Sequence, residues 1–361
     1  MASTLNREAE YLDALFTLTL NPVQAGPALD LVASLTPQER SNFLSLADSH
    51  HVIVRALNTV LEHAARKNDS ALSPWAAEEL EKEHKRISTA LVYLQAICDE
   101  LENANCPTTV LKSLDHYPDL GNDLDLYSTA DEKAIGNVMT GKFNAHIEAR
   151  SWGDRLANKW NFAVRGLRES VEVHVQRLGQ TGEHTTLARR FVSRRVMKVV
   201  EQKTYFVPAL EERIVVATLQ RMYRHFYFRV CDILNSAAII ESGALNFEEL
   251  KRASLAAGIW PGVATYLVIV SDHVKRYRGI PLALPDFVLA AARFGGSEIK
   301  PRARFLRVPM LPHGAALYTY QVTHAAFSGD VPGTFRLSLL PYLASAAAVA
   351  YKMTGSDKGV W

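Results

Sequence analysis

The chain holds 361 residues, 48% of them hydrophobic and 22% charged, with a formal net charge of +2 at pH 7. This length and ordinary globular composition suit two or three packed subdomains and exclude extended disorder. The near-zero net charge excludes a whole-molecule field for nucleic acid or membrane, so any such role must come from local patches.

From Glu8 to Asn105 apolar residues recur at helical spacing, first Leu12, Leu15, Phe16 and Leu20, then Phe43, Leu46 and Ala47, then Val52, Val54, Leu57, Val60 and Leu61. Ser73-Pro74 reads as an N-cap with proline in the first turn, opening a long helix over Ala76 to Glu102. At Pro107 the period changes. Thr108 to Leu111 is β-branched and apolar and reads as a buried strand. Asp115 to Asn122 reads as a turn and Asp123 to Tyr127 as a second strand. A helix over Ala130 to Thr140 follows, then strands over Lys159 to Arg165 and Ser170 to Val175, joined at Gly166. Arg189, Arg190, Arg194, Arg195 and Lys198 read as one basic helix. Past Pro208 the helical period returns and holds to about Val274, with Arg221, Arg224 and Arg229 on one of its helices. Beyond Pro281 the chain is rich in Pro and Gly, carries a basic run from Lys300 to Arg307, and shows no readable element. The expected fold class is therefore α+β and mostly helical. A small mixed β-sheet over residues 106–207 is flanked by helical regions at 1–105 and 208–280, with an extension at 281–361.

Cys98, Cys106 and Cys231 are too few and too irregularly spaced for a disulfide framework or a zinc site. Met1 to Glu10 lacks the basic-then-apolar order of a signal peptide. Leu337 to Tyr351 is apolar but short, and a spanning helix needs about 20 residues. The expectation is a soluble cytoplasmic protein with no membrane partner.

The strongest chemical signal is Gly121-Asn122-Asp123-Leu124-Asp125-Leu126. Alternate residues of a strand share a face, so Asp123 and Asp125 project together while Leu124 and Leu126 face the core. Two like charges that close need a cation, or one must hold its proton. A hard divalent ion meets the need, and magnesium characteristically joins one or two carboxylates to substrate phosphates. The spacing alone equally suits a pair of surface aspartates. Lys112 and Ser113 close the preceding strand where backbone can approach phosphate. Val171-Glu172-Val173-His174 places Glu172 and His174 on one face, and Glu172 can complete a three-carboxylate cluster. His174 reads as a packing or hydrogen-bonding residue rather than a ligand. Arg221, Arg224 and Arg229 either line the cleft and hold a triphosphate or form a salt-bridged helix with Arg229 paired to Asp232.

The order of a strand, Leu111-Lys112 and a small residue, a turn with Tyr117-Pro118, Asp123-Leu124-Asp125, then Val171-Glu172-Val173-His174 resembles the nucleotidyltransferase superfamily of DNA polymerase beta type. More narrowly it is similar to an uncharacterised bacterial nucleotidyltransferase-like family. The resemblance runs over about Val54 to Val274, with specific motifs between Val110 and His174. It implies a nucleotidyltransferase core with a nucleotide-binding turn at Lys112 and Ser113; of the three arginines, Arg229 is the one expected on the nucleotide. Asp123, Asp125 and Glu172 would hold magnesium, with manganese as the alternative ion. The chemistry implied is transfer of a nucleoside monophosphate from a nucleoside triphosphate such as ATP to an acceptor, with pyrophosphate released. The acceptor (small molecule, protein or RNA) is not identified. The chain departs from the family at Ser113 and Asn122, both usually glycine, and carries Asp119 where a basic residue is common.

Two rivals remain. A nucleotide-sugar glycosyltransferase also uses Asp-x-Asp with a metal, but such enzymes begin with an αβ domain, whereas about a hundred helical residues come first here. A non-catalytic nucleotidyltransferase-fold binding protein would use the basic runs on a partner. Those runs suit an RNA backbone or a solvated charged face, and the near-neutral net charge favours the face. Neutralising Asp123 or Asp125 is expected to remove activity and leave folding intact.

Overall fold

The computed structural model describes residues 2–354, apart from 68, 70 and 303. Five helices come first: α1 (Ala2–Leu20), α2 (Gly26–Ser34), α3 (Pro37–Ser49), α4 (Ile53–Lys67) and α5 (Leu72–Asn103). Thr36 caps α3 through a capping box with Glu39, with Pro37 inside the first turn. α5 starts at Leu72 rather than after Ser73. The Asp69 carboxylate accepts the N–H groups of Ala71 and Leu72 and thereby sets the start.

The predicted αβ block follows as β1 (Thr108–Val110), β2 (Asp123–Ser128), α6 (Glu132–Phe143), β3 (His146–Ile147), α7 (Trp152–Ala157), β4 (Lys159–Ala163) and β5 (Ser170–Val175). These strands form one sheet in the order β1-β2-β5-β4-β3. β2 and β5 are parallel and the other pairs antiparallel, so the sheet is mixed. β4 turns into β5 at Gly166, whose φ of +90° glycine adopts readily and where a Cβ would strike the Tyr93 hydroxyl.

Next come α8 (Thr185–Ser193) and the hairpin β6 (Arg195–Val200) with β7 (Lys203–Pro208). The single basic helix expected over Arg189 to Lys198 is thus half helix and half strand. Val196, Val199 and Val200 favour extended backbone, and β7 supplies the ladder. Arg190 and Arg194 reach Glu212 and Glu211, and Arg195 pairs with Glu102. These arginines are committed to carboxylates.

The helical return is α9 (Leu210–Thr218), a π-helical turn over Leu219–Arg224, β8 (Tyr227–Phe228), α10 (Val230–Glu241), α11 (Phe247–Ala256) and α12 (Trp260–Arg278). Arg221, Arg224 and Arg229 therefore do not share a helix. The π-turn and the left-handed Phe226 (φ +53°) break it. The tail is structured as well, with α13 (Asp286–Ala291), β9 (Lys300–Arg302), β10 (Phe305–Arg307), α14 (Ala315–Phe327), α15 (Val331–Ser338) and α16 (Leu340–Thr354). The basic run Lys300 to Arg307 forms a hairpin that pairs through β10 with β8.

The fold is α+β and mostly helical. One continuous cluster of buried apolar residues runs from Tyr11 to Leu317 and includes Leu124, Leu126, Val171 and Val173 of the sheet. Among the described residues no helix is long and apolar enough to cross a membrane. The three cysteines are unpaired, with Cys106 and Cys231 buried and Cys98 half-buried.

Candidate metal and nucleotide site

Parallel pairing sets Asp125 opposite Glu172, Asp123 opposite Ser170 and Tyr127 opposite His174. Alternation then puts Asp123, Asp125, Glu172 and His174 on one sheet face. Ligand atoms of Asp125, Glu172 and His174 all lie within 4.8 Å of one another, the spacing of a cation's donor set. Asp123 stands outside this group, at the solvent end of β2. Tyr127 meets Phe191 of α8 and closes the inner part of the face.

Each carboxylate has a basic partner. Lys112 Nζ lies 2.9 Å from Asp125 Oδ1, and Asp125 is 2% exposed. Lys159 Nζ lies 3.0 Å from Glu172 Oε2 and 2.8 Å from Asp154 Oδ1. His174 Nε2 is 2.8 Å from Glu172 Oε1. Burial raises the Glu172 carboxyl, but the hydrogen bond and charge of His174, with Lys159 and Lys112, outweigh it and hold the group well below the usual range. At Asp123, crowding by protein, then the charges of Asp125 and Glu172, push the carboxyl up to about 6. Four carboxylates (Asp123, Asp125, Asp154, Glu172) share the face with Lys112, Lys159 and the nearby Arg224. A buried and a half-buried carboxylate with an imidazole at this spacing fit a divalent ion, and the nitrogen donor favours a transition ion such as manganese over magnesium, which prefers oxygen ligands.

Ser113 is buried in the short turn after β1. Its hydroxyl accepts the Asp125 N–H at 2.8 Å and donates to the Asp123 carbonyl at 3.2 Å. The side chain thus fastens the turn to β2. Arg229 is turned away from the carboxylates. Its guanidinium meets His51 Nε2, and its backbone N–H donates to Asp232. The guanidinium paired with Asp232 is that of Arg221, at 2.7 Å.

Lys159 and Asp154 went unread in the sequence. The only signal for Lys159 was its place at the start of a strand, and its meeting with Glu172 depends on the β4–β5 register. Asp154 is fixed by a capping box with Ser151 at the start of α7. Beside His174 a cavity of about 40 Å³ is walled by Leu178, Gln220, Tyr223 and Arg224.

No protein-family profile matches the chain, and no curated protein matches it. Among solved structures there is a match to an antigenic nucleotidyltransferase-like protein from Paracoccidioides brasiliensis. It is 12% identical, covers 57% of this chain and 94% of that chain, and has a TM-score of 0.36. A likeness at that score carries no argument about this chain.

Proposed function

We propose that this protein is a divalent-metal-dependent nucleotidyltransferase that moves a nucleoside monophosphate from a nucleoside triphosphate to an acceptor hydroxyl. One observation carries the reading: Asp125, Glu172 and His174 converge within 4.8 Å on a parallel strand pair, with Asp123 beside them on the open side. Asp125, Glu172 and His174 would hold the ion. When bound, the ion neutralises phosphate oxygens and lowers the pKa of the attacking hydroxyl. Asp123, at the solvent end of β2, receives the proton from that hydroxyl. The acceptor oxygen forms its bond to the α-phosphorus, and the bond from the α-phosphorus to the oxygen bridging to the β-phosphate breaks. Pyrophosphate leaves with the electron pair. Lys112 and Lys159 hold the carboxylates in place before the ion arrives.

The test uses the purified chain with manganese or magnesium and each labelled nucleoside triphosphate. Pyrophosphate release or label transfer that is lost in Asp125→Asn supports the reading. Manganese binding with no nucleotide binding and no pyrophosphate release would leave a metal-binding protein without this chemistry. Turnover of a nucleotide sugar instead would move the assignment to glycosyl transfer.

A further inference from the structure

The segment from Leu219 to Arg229 contains two uncommon backbone features in succession. The π-helical turn Leu219–Arg224 closes with the His225 N–H on the Gln220 carbonyl at 2.8 Å, five residues back. Phe226 then takes a left-handed φ of +53°, with its ring packed against Gly314. A π-turn and a non-glycine left-handed residue are both unfavourable in isolation, and proteins retain them where a side chain must be aimed. Here three arginines are aimed in three directions. Arg221 is buried on Asp232. Arg229 meets His51 and lies over the Tyr227 ring. Arg224 ends the π-turn, half-buried, and among the described residues its side chain has no ion pair, hydrogen bond or ring contact.

Arg224 also stands in the right place. It forms part of the wall of the cavity beside His174, and of a smaller neighbouring one shared with Asp154, Lys159 and His174. Its charge is felt at Lys159. The other two cations at the site are taken, Lys112 by Asp125 and Lys159 by Asp154 and Glu172. A half-buried guanidinium with no direct ion pair, next to a donor set for a divalent ion, can take an anion that also binds that ion. A polyphosphate does both, because its non-bridging oxygens accept a guanidinium fork and a metal at once.

We propose that Arg224, set by the π-turn beside His174 and Lys159, is the phosphate-binding guanidinium of this site and holds the polyphosphate of the nucleotide. This rests on the nucleotidyl-transfer reading above and replaces Arg229 as the nucleotide's arginine.

The experiment measures binding of manganese alone, then of pyrophosphate and each nucleoside triphosphate with manganese present, by calorimetry on the full chain. Wild type is compared with Arg224→Gln and Arg224→Lys. In Arg224→Gln, pyrophosphate and nucleotide binding weaken about tenfold or more, while manganese binding and melting temperature stay at wild-type values because the guanidinium pairs with nothing. Arg224→Lys, keeping charge without the fork, falls between. Wild-type affinity for pyrophosphate and nucleotide in Arg224→Gln overturns the assignment and leaves the nucleotidyl-transfer reading standing. A wild type that binds manganese but neither pyrophosphate nor nucleotide overturns both. A lowered melting temperature with lost manganese binding in Arg224→Gln shows a structural arginine and overturns the assignment alone.

Discussion

Lys112 Nζ sits 2.9 Å from Asp125 Oδ1, so the carboxylate best placed to hold a metal already has a cation on it. Asp125 is 2% exposed, and a buried carboxylate stripped of its partner is strongly unfavourable. Lys112 Nζ competes with any ion for that oxygen. Lys112→Gln is therefore expected to lower stability in the presence of a chelator by about 1–3 kcal/mol, less than for a fully buried pair because the lysine side chain is a quarter exposed. Saturating manganese should return most of the loss, since the ion supplies the missing charge and binds the folded state alone. Urea unfolding with and without manganese gives the answer. Equal metal stabilisation of wild type and variant would show that Lys112 and the ion do not share Asp125.

The two aspartates of β2 are expected to separate in their effect on folding, which revises the expectation that neutralising either leaves folding intact. Asp123 opens to solvent, and its carboxyl is pushed up to about 6 by crowding and by Asp125 and Glu172. Asp123→Asn removes a repulsion and should change stability by no more than about 0.5 kcal/mol. Asp125→Asn leaves Lys112 Nζ without its carboxylate and should lower stability by about 1–2 kcal/mol. Both are expected to abolish pyrophosphate release. Equal stability of the two variants would contradict the difference in their surroundings.

The elements carrying this site were legible for a local reason. In Ser170 to Val175 and Asp123 to Leu126 apolar and polar residues alternate, the first among valines, so strand identity and the shared face of Glu172 and His174 follow from residues in sequence contact. What was hidden depends on register and on distant partners. His174 as a donor beside Asp125 requires the parallel pairing of β2 with β5. Lys159 requires the register of β4 on β5. The fate of Arg229 depends on His51, far away in the chain. The hairpin at Arg195 was misread because its basic residues also recur at helical spacing, and only pairing with Lys203–Pro208 decides between strand and helix.

Ser113 stands where the similar family has glycine, and its hydroxyl accepts the N–H of Asp125 at 2.8 Å inside the protein. Ser113→Ala leaves that buried N–H without an acceptor, which corresponds to about 1–3 kcal/mol. It also frees the start of β2 from the turn. Expected together are a lower urea midpoint and weaker manganese binding, because the anchor lies on the backbone of a ligand residue. Unchanged manganese affinity in a destabilised Ser113→Ala would confine Ser113 to folding.

His50 gives the protein a pH dependence whose sign can be worked out. Its Nδ1 accepts the Val230 N–H at 3.0 Å, so the hydrogen-bond network places the proton on Nε2, which donates to the Arg304 carbonyl at 2.7 Å. Both nitrogens are used in the neutral form. Burial, with Arg229, Arg304 and Arg221 nearby, pushes the imidazole down to about 3 from its usual 6.5. As pH falls below 6.5 the unfolded chain takes up a proton at His50 and the folded chain does not, until about pH 3. The stability from this group is full above 6.5 and is lost on acidification, with a slope of at most about 1.4 kcal/mol per pH unit. Burial likewise holds His51, His116 and His225 well below their usual range, which adds in the same direction. His50→Asn keeps an acceptor for the Val230 N–H and removes the titration. It should be about 1–2 kcal/mol less stable than wild type at pH 7.5, having lost the bond to Arg304. That gap should narrow or reverse at pH 5, because wild type alone pays the His50 penalty there. Urea midpoints at the two pH values decide it, and a gap that stays constant would show that His50 protonates in the folded protein as readily as in the unfolded chain.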